Sequence, residues 1–210
     1  MKITKLPQSG LLLEKDGRRI VFDPVRFPGF DLDIASLNSP QAVIYTHSHP
    51  DHLNIKIATA LSEGGSLLYG NDDVIKKAEG VTVEPFNTGD VKNLASFELR
   101  SYYLEHCLMV DGTRATVPNN GYIVDGKLLI PGDSTESTGQ EVEVVAVPIF
   151  GPDVSFHDAY RLALAHKAKK VIPIHNDIVG LHPEAFARFC NYFKVPFEVI
   201  PIHIGESTEI

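Results

Sequence analysis

The sequence has few thiols, no cluster of basic residues and no long apolar run. Its two cysteines, Cys107 and Cys190, form no CxxC pair, so neither a disulfide framework nor a paired-thiol redox motif is available. Nineteen basic residues stand against 27 acidic ones, for a formal charge of -8 with no basic run. That balance argues against a broad electrostatic footprint for nucleic acid or an anionic membrane, although a local positive pocket is compatible with it. No stretch approaches the roughly 20 apolar residues of a membrane span. Met1-Lys2-Ile3-Thr4 lacks the apolar core of a signal peptide. Self-similarity at the periods of solenoid repeats, about 20 to 50 residues, is also missing. These absences predict a soluble, reduced, cytoplasmic protein. With 43% hydrophobic residues, the 210-residue chain can bury a sizeable core. Residues 1–210 are expected to form a single domain, with no room for a second.

What the sequence does contain is concentrated in six residues, His47-Ser48-His49-Pro50-Asp51-His52, directly after the run Ala42-Val43-Ile44-Tyr45-Thr46. A β-branched and aromatic run ending in a His/Asp/Pro cluster predicts a buried strand that stops in a loop at a sheet edge. Imidazole nitrogen and carboxylate oxygen are the preferred ligands of Zn²⁺ and similar ions, and a loop can turn alternate side chains toward one point. A histidine-rich surface loop, or a cluster titrating near neutrality, is the ordinary alternative. It gives no reason for four potential ligands to follow a core strand within six positions.

Elsewhere the chain alternates strands and helices. Residues 2–24 predict antiparallel strands turning at Gly10 and Asp16-Gly17, with Asp23 either orienting an imidazole or simply making the turn before Pro24. Residues 25–40 form a Pro/Gly-punctuated loop carrying Arg26, Phe27 and Phe30, side chains that could wall a pocket or tuck against the core. Helices are predicted over Asn54–Leu61 and Asp72–Ala78, and strands over Ser66–Tyr69, Val81–Pro85 and Phe97–Leu104. A hairpin is expected at Thr88-Gly89-Asp90. His106 follows a strand. Residues 111–120 are aperiodic and carry Arg114 as their fixed cation. Gly121–Val124 and Lys127–Ile130 flank Asp125-Gly126 as a type I′ hairpin that ends at Asp133. Val142–Pro148 predicts a central strand, and Ser155 with Asp158 a capped helix from Phe156 to about Lys167. Lys169–Ile174 presents His175. Pro183 opens a last helix with Phe186, Phe189, Cys190 and Phe193 on one face, and Phe197–Ile204 is expected as a closing strand. Of His157, His166, His182 and His203, only His157 is a candidate for the site; the others suit helix, cap or solvent roles. Cys107 is read as a small buried apolar side chain.

The pattern His47-x-His49-x-Asp51-His52 resembles the signature of the metallo-β-lactamase-fold hydrolases. Phe22-Asp23-Pro24 upstream is similar to that superfamily, as are Glu105-His106, Pro131-Gly132-Asp133-Ser134 and Pro173-Ile174-His175 downstream, all in the family's order. The resemblance covers nearly the whole chain. It implies an α/β fold, a four-layer αββα sandwich, with the site at strand ends between two sheets. It further implies two divalent metal ions, Zn²⁺ first with Mn²⁺ or Fe²⁺ as alternatives. His47, His49 and His106 would hold one ion and Asp51, His52 and His175 the other. Asp133 would bridge them, and Asp51 and Asp133 would be the carboxylates of the catalytic centre. The implied reaction is attack of metal-bound hydroxide on a small, anionic ester-type substrate, a phosphodiester or lactone. The most similar branch holds ascorbate-phosphate lactonases and phospholipase D-like enzymes. Two other readings keep the fold: a non-catalytic metal-binding scaffold, which seven filled ligand positions disfavour, and a diiron redox protein.

Overall fold

Continuous apolar runs such as Leu11-Leu12-Leu13, Ala42-Val43-Ile44 and Val144–Pro148 bury both faces of their strands, and they build two mixed sheets in the computed structural model, which describes residues 1–26 and 29–210. Phe27, read as walling a pocket or tucking against the core, lies outside the described residues. The first sheet contains β1 (Lys2–Lys5), β2 (Leu11–Lys15), β3 (Arg18–Phe22), β4 (Ala42–Ile44), β5 (Leu67–Gly70) and β6 (Glu84–Pro85) in spatial order, with β14 (Ser207–Glu209) outside β1. Strands β1 to β3 are antiparallel, whereas β3 to β6 run parallel. Parallel neighbours need crossovers. Helices α1 (Ile55–Glu63) and α2 (Asp72–Lys77) supply two of them.

The second sheet runs from β7 (Val91–Leu94) through β8 (Phe97–Tyr103), β9 (Asn120–Val124), β10 (Leu128–Ile130), β11 (Val144–Pro148) and β12 (Lys170–Ile174) to β13 (Glu198–Val199). It is antiparallel from β7 to β10 and parallel from β10 to β13. Helices α3 (Phe156–Ala165) and α4 (Pro183–Phe193) connect its parallel strands.

Three apolar cores define four layers. Ile3, Leu13, Phe22 and Ile44 of the first sheet meet Leu99, Tyr122, Ile130 and Ile172 of the second in the central core. The alternate residues Leu12, Val21, Val43 and Leu68 pack under α1 and α2, while Leu129, Val145, Val147 and Val171 pack under α3 and α4. The fold is therefore the expected αββα sandwich. Each fully buried Leu, Ile, Val or Phe contributes about 1.5–3 kcal/mol, so the frame rests mainly on these cores.

Local chemistry starts the helices where the site requires them. Asn54 accepts a hydrogen bond from the Ile57 N–H to open α1, and Asn71 does the same for Asp73 and Val74 in α2. Ser155 and Asp158 form a reciprocal capping box on α3, as their spacing predicts. Asp125 and Gly126, at φ 51° and 64°, make the β9–β10 turn, both left-handed as type I′ demands.

Three expectations are corrected. Thr88-Gly89-Asp90 makes no hairpin; it carries the chain from β6 in the first sheet to β7 in the second, and the hairpin turns at Ala95 and Ser96 instead. Those two residues adopt φ of 50° and 73° without the glycine that normally advertises such a turn. Phe197–Ile204 is not one strand. Only Glu198 and Val199 pair with β12, the chain passes Pro201, which has no N–H for a ladder, and Ser207–Glu209 joins the first sheet. Of Val81–Pro85 only Glu84 and Pro85 pair. Among the described residues, no helix is long and apolar enough to cross a membrane.

Candidate metal centre

Five strands end at one edge of the sandwich and deliver the chemistry. Asp23 follows β3, the His47–His52 loop follows β4, His106 follows β8, Asp133 follows β10 and His175 follows β12. Strands whose side chains face a partner on both sides stop where the polar residues begin, so the inter-sheet core is apolar and its rim is not.

Local backbone features aim these residues. Asp23 and His175 adopt φ of 43° and 57°, a left-handed conformation unfavourable for residues with a Cβ and typical of functional sites. Gly132, at φ 63°, precedes Asp133, and a Cβ there would lie 2.1 Å from Asn119 Oδ1. Asn119 is a buried bracket: its amide donates to the carbonyls of Leu104 and Pro131, and its Oδ1 accepts from the Asp133 N–H.

The seven candidate ligands come together in two groups. One ligand atom from each of His47, His49 and His106 lies within 4.8 Å of the others, and the same holds for Asp51, His52, Asp133 and His175. Asp133 reaches both groups. Its Oδ1 is 2.9 Å from His52 Nε2, and its Oδ2 is 3.0 Å from His175 Nε2 and 3.5 Å from His106 Nε2. His175 Nε2 is 3.3 Å from Asp51 Oδ2, and His47 Nε2 is 3.2 Å from His49 Nδ1.

The rings of His52, His106 and His175 are held from behind by their other nitrogen. His52 Nδ1 meets Asp23 Oδ2 at 2.8 Å, His106 Nδ1 donates to the Cys107 carbonyl at 2.7 Å, and His175 Nδ1 donates to the Phe150 carbonyl at 2.8 Å. Such bonds fix the tautomer that leaves Nε2 with a free lone pair. The Nε2 atoms of His52, His106 and His175 and the Oδ1 of Asp133 are buried without an aligned hydrogen-bond partner. Leaving several polar atoms so is costly, and nearly all such atoms in folded proteins are satisfied. Convergent, unpartnered N and O atoms of this type fit divalent transition-metal ions.

The metal-free electrostatics separate the groups. Burial and the neighbouring His52 hold His47 well below the ordinary imidazole range, and burial with His106 lowers His49. Burial would also lower His52 and His175, but carboxylates prevail: Asp133 and Asp23 hold His52 well above its usual value, and Asp133 and Asp51 raise His175 to about 9. Asp133, despite burial, is held well below the carboxylate range by His175 and His52. Without an ion the carboxylates favour added positive charge at His52 and His175, the position that a bound cation would take over.

Other candidates fall outside the cluster. Arg114 pairs with Glu105, Arg26 pairs with Asp31 at 3.0 Å, and both guanidinium groups are exposed. His157 lines an apolar cavity with Tyr160, Phe189 and Phe193 on the helical layer. His166 caps α3, His182 precedes α4, and His203 pairs with Glu184. Cys107 is half-buried rather than buried. Its sulfur lies within 4.8 Å of the ligand atoms of His106 and Asp133, and burial with the nearby carboxylates pushes its thiol up to about 12. Sequence reasoning missed Asn119 and Gln8, whose side-chain amides touch the centre only through distant segments of chain.

Two sheets packed under outer helices, with a His-x-His-x-Asp-His loop and further His and Asp side chains at neighbouring strand ends, define the metallo-β-lactamase class of fold. A sequence model of the beta-lactamase superfamily domain matches residues 2–175, and the chain belongs to that family. It is 26% identical over 212 residues to protein Rv0786c of Mycobacterium tuberculosis, covering 96% of this chain and 97% of that one. It is also 26% identical over 217 residues to a UPF0173 metal-dependent hydrolase of Methylobacterium nodulans, covering 98% and 85%. The fold is similar to that of Igni18, a metallo hydrolase of Ignicoccus hospitalis, with a TM-score of 0.78 at 18% identity over 100% of this chain and 98% of the other.

Proposed function

We propose that the protein is a metal-dependent hydrolase that holds two divalent metal ions and cleaves a small, anionic ester-type substrate, a phosphodiester or lactone. The observation that carries this reading is the set of buried, unpartnered Nε2 and Oδ1 atoms converging from separate strand ends. His47, His49 and His106 would hold one ion and Asp51, His52 and His175 the other, with Asp133 reaching both. Zn²⁺ is the first choice for this N/O set, with Mn²⁺ or Fe²⁺ as alternatives. When bound, such a pair supplies an activated water at neutral pH and a Lewis acid for the scissile carbonyl or phosphoryl oxygen. The name of the Methylobacterium relative supports the same class of activity.

The chain's own residues then orient and exclude. Asp23 and the carbonyls of Cys107 and Phe150 keep the rings turned inward, and the apolar core behind the centre closes it to water from below. A cavity of about 670 Å³ at the start of α1 is lined by Arg26, Asp31, Asn54 and Lys56 among others, and by none of the seven candidate ligands.

The test is elemental analysis followed by assay of chelated and remetallated protein with bis(p-nitrophenyl) phosphate, a lactone and a thioester. About two ions per chain and metal-dependent turnover of a phosphodiester or lactone are expected. Asp133→Ala should lower kcat by about 10²-fold or more, since water activation and proton transfer at a positioned group contribute that much. Turnover that survives complete metal removal defeats the proposal. An iron-specific visible spectrum with oxygen consumption and no hydrolysis would favour a diiron redox protein, and bound metal with no turnover a scaffold.

A further inference from the structure

The turn between β1 and β2 contains more buried polar chemistry than a strand connection needs. Lys5 is 1% exposed, and its ammonium donates to the Leu6 carbonyl at 2.5 Å, the Gln8 carbonyl at 2.6 Å and Asp177 Oδ2 at 2.9 Å. Three donors meet three acceptors, the condition under which a buried ammonium is tolerated. Gln8 is fully buried at φ 58°, a conformation in which glycine is the expected residue. All of its polar groups are engaged. The N–H donates to Asp177 Oδ2 at 2.7 Å, the carbonyl also accepts from the His175 N–H at 3.1 Å, and Oε1 accepts from the Ile178 N–H at 3.3 Å. Nε2 donates to Asp51 Oδ2 at 3.3 Å.

These partners belong to both halves of the sandwich. Asp51 lies in the loop after β4 of the first sheet, while His175, Asp177 and Ile178 follow β12 of the second. Gln8 therefore holds Asp51 through its side chain and His175 through its backbone, at the point where those two residues approach to 3.3 Å. A neutral amide suits this position. It donates to Asp51 without protonating it and leaves Oδ1 outside that bond, whereas a carboxylate in its place would repel.

We infer that Gln8 is a positioning residue for the metal ion shared by Asp51 and His175, locked in its left-handed conformation by Lys5 and Asp177. The inference rests on the dinuclear reading above. Its test is Co²⁺ titration of the metal-free protein, followed by visible absorption and calorimetry, beside thermal unfolding of each metal-free variant. Gln8→Gly keeps the left-handed backbone and removes the amide. Gln8→Asn, which tolerates the same backbone, withdraws the amide from Asp51. The wild type should show two binding events. In both variants one event should keep its affinity and the other weaken about 10–100-fold, the usual effect of losing a group that orients a ligand. Its cobalt absorption band should change as well. Lys5→Met should weaken the same event, and the double variant with Gln8→Gly should be no worse than the weaker single one, because the two act as one unit. Two wild-type affinities and spectra in Gln8→Gly and Gln8→Asn, even with a lower unfolding temperature, overturn the inference and leave the dinuclear reading standing. A wild type that binds fewer than two ions overturns both.

Discussion

An imidazole can ligate a metal well only when its other nitrogen is tied down, and Asp23 ties down that of the candidate ligand His52. Its Oδ2 lies 2.8 Å from His52 Nδ1, and Oδ1 accepts from the Thr46 N–H at 2.8 Å, so one carboxylate fixes both ring and loop. Asp23→Ala should weaken metal binding by about 10–100-fold while the chain folds. Equilibrium dialysis against a chelator series measures this, and an unchanged affinity would remove Asp23 from the site. The sequence supports part of this picture at the residue scale. His47, His49, Asp51 and His52 are legible because their spacing is local. His106, Asp133 and His175 become legible through the family's motif order, since a single His or Asp after a strand has many ordinary explanations. Asp23 stays ambiguous on sequence, because the Asp-Pro pair also makes a common turn. Gln8 and Asn119 are illegible: each acts on residues far away in the chain, Asp51 and Pro131 among them, and nothing in an isolated amide announces that contact.

Single backbone positions decide how the elements present the site. Gly132 sits at φ 63° between β10 and Asp133, and an added methyl would meet Asn119 Oδ1. Gly132→Ala should cost about 1–3 kcal/mol of stability for the strained conformation alone. Urea unfolding reads that loss, and an unchanged midpoint would show that the turn adapts. The end of α3 carries a pH-dependent counterpart. His166 Nδ1 donates to the Leu162 carbonyl at 2.9 Å and Nε2 accepts from the Thr138 N–H at 3.1 Å, which selects the neutral ring, and burial lowers its pKa from 6.5. The unfolded chain takes up this proton more readily than the native one. The stability the ring contributes is therefore complete above 6.5 and is lost as pH falls from there toward the lowered native value. In metal-free protein, the stability gap between wild type and His166→Asn should narrow between about pH 7.5 and pH 5. A constant or widening gap would contradict the assignment. Most elements that these residues join are visible in sequence, because periodicity and capping are local. The failures have tertiary causes. The Ala95-Ser96 turn lacks glycine and is imposed by the pairing of β7 with β8, and the tail after Pro201 changes sheets to cover β1.

At the scale of the whole molecule, the two ends of the chain meet in one sheet: β14 pairs with β1, and the Met1 ammonium donates to the Ile210 carbonyl at 2.8 Å. The candidate metal centre lies where the strands that bound the central core end, and although five of its seven candidate ligands are buried, the apolar packing of the three cores is made by other side chains. Folding energy and metal binding should accordingly be separable, unlike in small domains that depend on a metal to fold. Chelated protein should retain its far-ultraviolet circular dichroism and unfold in a single transition. Reloading should then raise that transition, because an ion that binds only the native state stabilises it by about 2.7 kcal/mol at a free concentration 100 times its Kd. For a chain of this size, each kilocalorie corresponds to about 2–4 °C, so a rise of roughly 5–10 °C per occupied site is expected. Differential scanning calorimetry of chelated and Zn²⁺-loaded samples makes the comparison. A chelated chain without secondary structure would place the ions in the folding core. A transition unmoved by saturating Zn²⁺, Mn²⁺ and Fe²⁺ would mean that the converging imidazoles bind no metal in the native state, and the proposed hydrolase would fail at its first step.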